Sequence, residues 1–355
     1  MNCNGFFLGA NTPQGFYSLY EQELRSYSRL YILKGGPGCG KSTFIKAVTE
    51  ALAAQGEDYE PICCSSDPDS LDGAIFPALD TAIVDGTSPH VFEPKYALSG
   101  QYYVDLSRFA DLGGIYANSQ EIQKLTDSYK AHYAKAYCLL NSVAPLEELK
   151  ARLTEPAAHR IAARADGIIR RELKHADKKA IPGRSSTRFL DSICHRGHLF
   201  RFERAHALCE KLYEIRSDLG TGRELIARLE AAALRRGFDT IRCPSPLTPD
   251  GAAAHLLIPR LGLGFLTVPT NYSLPFPPCK TIIADRTVHT KELFSQRSLL
   301  MAIHKEEKNL LALAQSELNA AYTQHSELES CYSEHIDFSA LHQYAEKTAN
   351  SILAR

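Results

Sequence analysis

The sequence lacks any imbalance of charge. Its 40 Lys and Arg against 41 Asp and Glu give a formal net charge of −1, so no global argument exists for nucleic acid or an anionic membrane as partner. It also lacks a C-x-x-C pair: ten cysteines are scattered, and the one close pair, Cys63-Cys64, would point to opposite sides of a strand. The expectation is reduced, mostly buried thiols. No basic region precedes an apolar core near the amino terminus, so no signal peptide is expected. Residues 251–269 have the length of a membrane span but carry His255, Arg260 and two prolines. A cytoplasmic protein with no membrane contact is expected.

What is present organises itself around Leu30-Tyr31-Ile32-Leu33-Lys34-Gly35-Gly36-Pro37-Gly38-Cys39-Gly40-Lys41-Ser42-Thr43. This is G-x-x-x-x-G-K-[ST] after a strand-like run, the form of a P-loop. Gly36, Gly38 and Gly40 can adopt backbone angles closed to other residues, so successive N–H groups turn inward and cradle phosphate oxygens. Pro37 and Cys39 complete the loop. Lys41 would reach the β- and γ-phosphates, Ser42 would ligate Mg²⁺, and Thr43 would sit near the α-phosphate at the start of a helix whose dipole favours anions. Phe44, Ile45, Val48 and Leu52 recur at the spacing of that helix. The alternative, a glycine-rich turn with a chance lysine, does not account for strand, loop and helix in this order.

Two strands further on, Thr81-Ala82-Ile83-Val84-Asp85 has the apolar-strand-then-acid form in which Asp85 would hold Mg²⁺ opposite Ser42. Gly86, not a glutamate, comes next. A water-activating group must then come from elsewhere, with Asp67, Asp69, Asp72, His90 and Glu93 as candidates and Asp67 placed in the catalytic set beside Lys41 and Asp85. Ahead of the P-loop, Phe6-Phe7-Leu8 reads as a short strand, Gly9 to Gly15 as a turn, and the residues after Gly15 as a helix to about Ser28. Asn11, Thr12 and Gln14 are candidates for base contacts, or for a plain helix cap.

From about Asn118 the period becomes helical, with Ile122, Leu125, Tyr129, Tyr133, Ala136 and Leu140, and a second run comes after Pro145. A helical hairpin appended to an α/β core is expected. Between Lys150 and Arg188 stand eleven Lys or Arg against four Asp or Glu, a solvated helix face or a polyanion-binding patch around Arg160 to Lys179. Ile181 to Ser186 reads as a linker, placing one domain at 1–180 and a second at 181–355.

The second domain repeats the first. Gly197 lies 182 positions after Gly15, and at the same shift Phe189 matches Phe7, Leu212 and Tyr213 match Leu30 and Tyr31, and Gly220 and Gly222 match Gly38 and Gly40. The chemistry is not repeated: Arg223 stands for lysine, Glu224 for the metal serine, and Thr267 for Asp85. The second site is expected to be inactive, with Arg223 free to pair with a local carboxylate. A long helix from about Thr290 to Tyr332 would complete the chain.

The P-loop stretch, Asn11 to Ser18, Cys64 to Gly73 and Ile83 to His90 together resemble an uncharacterised bacterial family of tandem-duplicated P-loop ATPases. The resemblance covers essentially the whole chain, close in the first half and loose in the second. It implies ATP and Mg²⁺ as ligands and an ATPase label, and supplies no biological role or protein partner. The expected fold is α/β: two tandem three-layer halves with mainly parallel sheets, each with a helical hairpin, the second degenerate. The expected function is hydrolysis of ATP at the first loop, with a small-molecule or nucleotide kinase as alternative; no N-K-x-D element for guanine is present, and nucleic acid is not favoured as a partner.

Overall fold

The architecture, in a computed structural model, is described for residues 4–174, 181–289 and 294–354. Thr290, Lys178 and Lys179 lie outside the described residues. The chain opens on a hairpin of β1 (Gly9–Thr12) and β2 (Gly15–Ser18), succeeded by α1 (Tyr20–Leu24). This corrects the expected strand at Phe6 to Leu8 and the helix to Ser28. Thr12 Oγ1 donates to the Gly15 carbonyl at 2.7 Å and accepts from the Gln14 amide at 3.2 Å, closing a two-residue turn where a longer loop was expected. Phe6 and Phe7 make only single bridges, to Ile62 and Phe189.

The first sheet holds β3 (Arg29–Lys34), β4 (Glu60–Cys63), β5 (Leu71–Phe76), β6 (Thr81–Asp85) and β7 (Gln101–Asp105) in the order β4-β5-β6-β3-β7, with α2 (Lys41–Ala53) after β3. β3 is buried on both faces: Tyr31 and Leu33 enter one core with Phe44 and Val48 of α2, while Leu30 and Ile32 enter another with Tyr20 and Leu24. β6 and β7 flank β3 in parallel, but β4-β5 and β5-β6 are antiparallel. The reason lies in the connections. The short segments 64–70 and 77–80 cannot carry the crossover of a dozen or more residues that a parallel pair needs.

After α3 (Leu112–Ala117), a single helix α4 runs from Ser119 to Ala162, 44 residues, and α5 covers Ala165–Glu172. Pro145 lies inside α4 without ending it, so the expected hairpin is one long helix. Next come β8 (Ser185–Thr187), the hairpin β9 (Asp191–Cys194) and β10 (Gly197–Phe200), α6 (Phe202–Leu208), β11 (Lys211–Arg216), α7 (Arg223–Arg235), β12 (Thr240–Pro244), β13 (Ala253–Ile258), β14 (Leu263–Val268) and β15 (Lys280–Ile283). Their sheet has the order β15-β11-β14-β13-β12-β8. From β12 to β15 it repeats the order and direction of β4 to β7 around β3; both sheets are mixed, mostly parallel. The last helices are α8 (Arg297–Ser333) and α9 (Phe338–Leu353).

α4 and α8 pair antiparallel along their length, as the contacts Asn118–His335, His132–Glu317 and Lys150–Glu307 show. Ala136, Leu140 and Val143 of α4 close on Ala314 and Leu318 of α8. The two sheets also exchange cover. Leu341, Ala345, Ala349 and Ile352 of α9 pack with α2 over the first sheet, while Ile161, Ala165 and Ile168 pack with α7 over the second. Among the described residues eight cysteines are free, but Cys63 is disulfide-bonded, which corrects the expectation of reduced thiols at that position. Among the described residues no helix is long and apolar enough to cross a membrane; residues 251–269 form β13 and β14 instead.

Candidate active site

β3 ends at Lys34 on the carboxyl edge of the first sheet, and residues 35–40 turn from it into α2. Gly38 (φ 68°) and Gly40 (φ 82°) are left-handed, the latter as the residue that caps the helix. Among the described residues the amides of Gly38 and Gly40 donate to no main-chain carbonyl. They remain available to an anion at a helix amino terminus. Lys41 Nζ bridges the carbonyls of Gly35 (3.2 Å) and Gly36 (2.8 Å) and lies 3.8 Å from Asp85 Oδ2.

Asp85 ends β6 directly beside Leu33 of β3. Its Oδ1 accepts from the Thr87 amide (2.8 Å) and Thr87 Oγ1 (2.6 Å), fixing the carboxylate while Oδ2 faces Lys41. Ser42 Oγ accepts from the Leu71 amide at 3.1 Å, retaining a second lone pair. A hydroxyl and a carboxylate oxygen are hard donors, and this pair fits Mg²⁺. Burial pushes the Asp72 carboxyl up, His90 opposes this, and Asp85 adds to it.

The other acids named from the sequence scatter. Asp67 caps its own turn, accepting from Ser70 Oγ at 2.6 Å and from the Asp69 amide at 3.4 Å. Asp69 pairs with Arg196, Glu93 pairs with Lys34 and Tyr103, and His90 Nε2 lies 3.3 Å from Asp72. Asn11 is buried and spent on the Ile193 carbonyl and the Tyr137 hydroxyl, and Thr12 on its own turn. At the ends of the basic segment, Lys150 and Arg188 are buried in ion pairs with Glu147, Glu307 and Glu23.

The distant carboxyl-terminal region closes over the loop. A Cβ at Gly38 would stand 2.3 Å from the Glu329 carbonyl oxygen, one at Gly36 3.0 Å from the Tyr332 ring, and one at Gly40 2.7 Å from Leu341. Burial raises the Glu329 carboxyl above its usual range, against the pull of Lys41, with Asp67 also within electrostatic reach. Burial and Lys41 together lower His325, whose Nδ1 is 3.6 Å from Glu329. Residues 64–70 are pinned by the same half of the chain: Ser192 Oγ donates to the Ser65 carbonyl, His195 Nδ1 meets that of Ser66, and Arg201 donates to that of Pro68. Sequence reasoning missed Glu329, His325 and Tyr332; their only signal is a face of a long helix, which names no chemistry.

The corresponding loop after β11 is already filled. Asp285 accepts from Ser217 Oγ (2.8 Å), Thr221 Oγ1 (2.8 Å), and the amides of Asp218 (2.6 Å) and Leu219 (3.2 Å). A carboxylate of the chain itself thus takes the place an anion would occupy. Gly220 keeps a left-handed φ of 71°, but Gly222 is helical. Arg223 pairs with Glu147 of α4 at 3.0 Å, in place of the expected local carboxylate, and Glu224 pairs with Arg228 at 3.6 Å. A cavity of about 360 Å³ opens beside this second loop, but Arg223, Lys150 and Glu224 on its wall are already paired. Comparison with protein-family models, curated proteins and solved structures finds no match for the chain.

Proposed function

We propose that this chain is a Mg²⁺-dependent ATP-binding protein that hydrolyses ATP at the first loop, in a duplicated P-loop fold whose second half is non-catalytic. The observation that carries the reading is the contrast between the loops: among the described residues the first holds Lys41, Ser42 and Asp85 beside Gly38 and Gly40 amides that donate to no main-chain carbonyl, and the second is filled by Asp285, which accepts from the Asp218 and Leu219 amides. The loop amides and Lys41 would hold the phosphates and stabilise the charge that develops on in-line attack of water. Mg²⁺, when bound, neutralises phosphate oxygens, and Ser42 and Asp85 would hold it. Glu329, on the face of α8 that closes over the loop and with its half-exposed carboxylate within electrostatic reach of Lys41, is the group we assign to orient the attacking water, in preference to Asp67, whose oxygens close a turn.

Hydrolysis is favoured over transfer to an acceptor because α8 and α9 crowd the loop at Gly36, Gly38 and Gly40, where a second substrate would enter. Phosphate release without any added acceptor is therefore expected. Lys41→Ala should abolish it with far-ultraviolet circular dichroism unchanged; undiminished turnover in that variant removes the assignment. Calorimetric titration of the wild type should give one ATP per chain, and a stoichiometry near two, with the second site surviving Lys41→Ala, overturns the inactive role of the second loop.

A further inference from the structure

Beside the proposed Mg²⁺ position lies a cluster that nucleotide hydrolysis does not use. Cys64 comes directly after β4, Asp72 stands near the start of β5, and His90 belongs to the segment after β6; one ligand atom from each lies within 4.8 Å of the others. Asp72 and His90 are each 6% exposed, and Cys64 is half-buried. We propose that Cys64, Asp72 and His90 bind a transition-metal ion of the Zn²⁺ class, clamping the 64–72 segment to the segment after β6.

Three observations support it. The His90 Nε2 to Asp72 Oδ2 separation is 3.3 Å, and the edge of a tetrahedron with metal–ligand bonds of about 2.0–2.1 Å is also about 3.3 Å. Thiolate, imidazole and carboxylate form a borderline-soft set that suits Zn²⁺ and not Mg²⁺, which takes oxygen ligands. Finally, the cluster is enclosed by an aromatic wall: the Tyr20 ring, 1% exposed, lies 5.4 Å from the His90 ring. Burial raises the Tyr20 pKa first, and Asp72, Asp85 and Cys64 raise it further. His90 Nδ1 has no hydrogen-bond partner among the described residues. The Asp67 amide donates to Cys64 Sγ at 3.5 Å, a contact of the kind that supports a metal-bound sulfur.

The competing account is a self-contained trio in which the Cys64 thiol donates to Asp72 and Asp72 pairs with His90. It has no place for a divalent ion, so metal binding separates the two accounts. On binding, the Cys64 S–H bond breaks, its proton leaves to solvent, and a metal–sulfur bond forms. Asp72 binds as carboxylate, His90 as neutral imidazole, and a water completes the fourth position.

Co²⁺ is the probe. Titrated into the full-length, EDTA-treated and desalted protein in excess Mg²⁺, which fills oxygen-only sites, it should give a near-ultraviolet thiolate-to-metal band and strong visible bands of a four-coordinate ion. These should saturate near one per chain and be bleached by Zn²⁺. Cys64→Ser should abolish the thiolate band, Asp72→Asn and His90→Asn should weaken Co²⁺ binding at least tenfold, and Cys138→Ser, at an exposed thiol, should change nothing. Absence of the band in the wild type overturns the proposal even if a variant fails to fold, and so does its survival in Cys64→Ser. Neither outcome depends on nucleotide binding.

Discussion

At the scale of single residues, the site is governed by how burial and charge are balanced around Lys41. Lys41 holds its own loop through the carbonyls of Gly35 and Gly36 and stands 3.8 Å from Asp85, so the cation is held in place by the protein alone, as the proposed phosphate site requires. Asp85→Asn removes a charge from a carboxylate already fixed by Thr87. Mg²⁺-dependent turnover should therefore fall far more than nucleotide binding measured without Mg²⁺; equal loss of both would make Asp85 purely structural. Glu329 differs, because burial lifts its carboxyl above the usual 4.5. A base works only when ionised, so turnover should rise with pH through that raised value. Glu329→Gln should lower turnover about 10²-fold or more and remove the acid limb. An unchanged pH profile in that variant would exclude Glu329 as the base. That Gly38, Gly40, Lys41 and Ser42 share one strand-to-helix turn was legible in the sequence because such a turn is a local object, written in consecutive residues, while Asp85 joins them through the pairing of β6 with β3. Glu329 was not, because its proximity to Lys41 exists only after α8 has packed, and a lone glutamate on a helix face usually means solvent.

At the scale of elements, the strand after Arg29 and the helix after Gly40 were read correctly from short-range hydrophobic spacing. Failure came where tertiary packing overrode a local signal. Pro145 marks a helix break by local rules, yet α4 continues through it because its apolar stripe is covered by α8 on both sides of that residue. The pair carries a buried charge cluster: Lys150 donates to Glu147 at 2.6 Å and to Glu307 at 2.7 Å, and Glu147 also meets Arg223. Burial pushes Glu147 up, but Arg223 and Lys150 outweigh it and hold it below its usual range; burial pushes Glu307 up, and Lys150 only partly offsets this. Lys150→Met leaves two buried carboxylates without their shared cation and should cost about 3–5 kcal/mol in urea unfolding. Arg152→Ala, which breaks the exposed pair with Glu148, should change stability by less than about 0.5 kcal/mol. Equal effects from the two substitutions would mean the buried cluster is no more than a surface contact.

At the scale of the whole molecule, the halves of the sequence are not the units of packing. The repeat at a shift of 182 residues is visible in the chain, but the exchange of helices between its sheets is not, since no local pattern says which sheet an amphipathic helix will cover. α9 lies on α2 of the first sheet, α5 on α7 of the second, α4 and α8 bind each other, and hairpin β9–β10 pins residues 64–70. Losing α9 would expose Leu341 and Ile352, both fully buried, at a cost of about 3–6 kcal/mol for these two side chains alone. A domain's whole margin is about 5–15 kcal/mol, so neither sheet can open while the other remains native. Differential scanning calorimetry should accordingly show a single transition with calorimetric and van't Hoff enthalpies in agreement. Saturating MgATP, bound only to the folded first loop, should move that one transition upward as a whole, because ligand binding and both cores are linked through the same helices. Two resolved transitions, only one of them shifted by MgATP, would mean that the exchanged helices do not couple the halves.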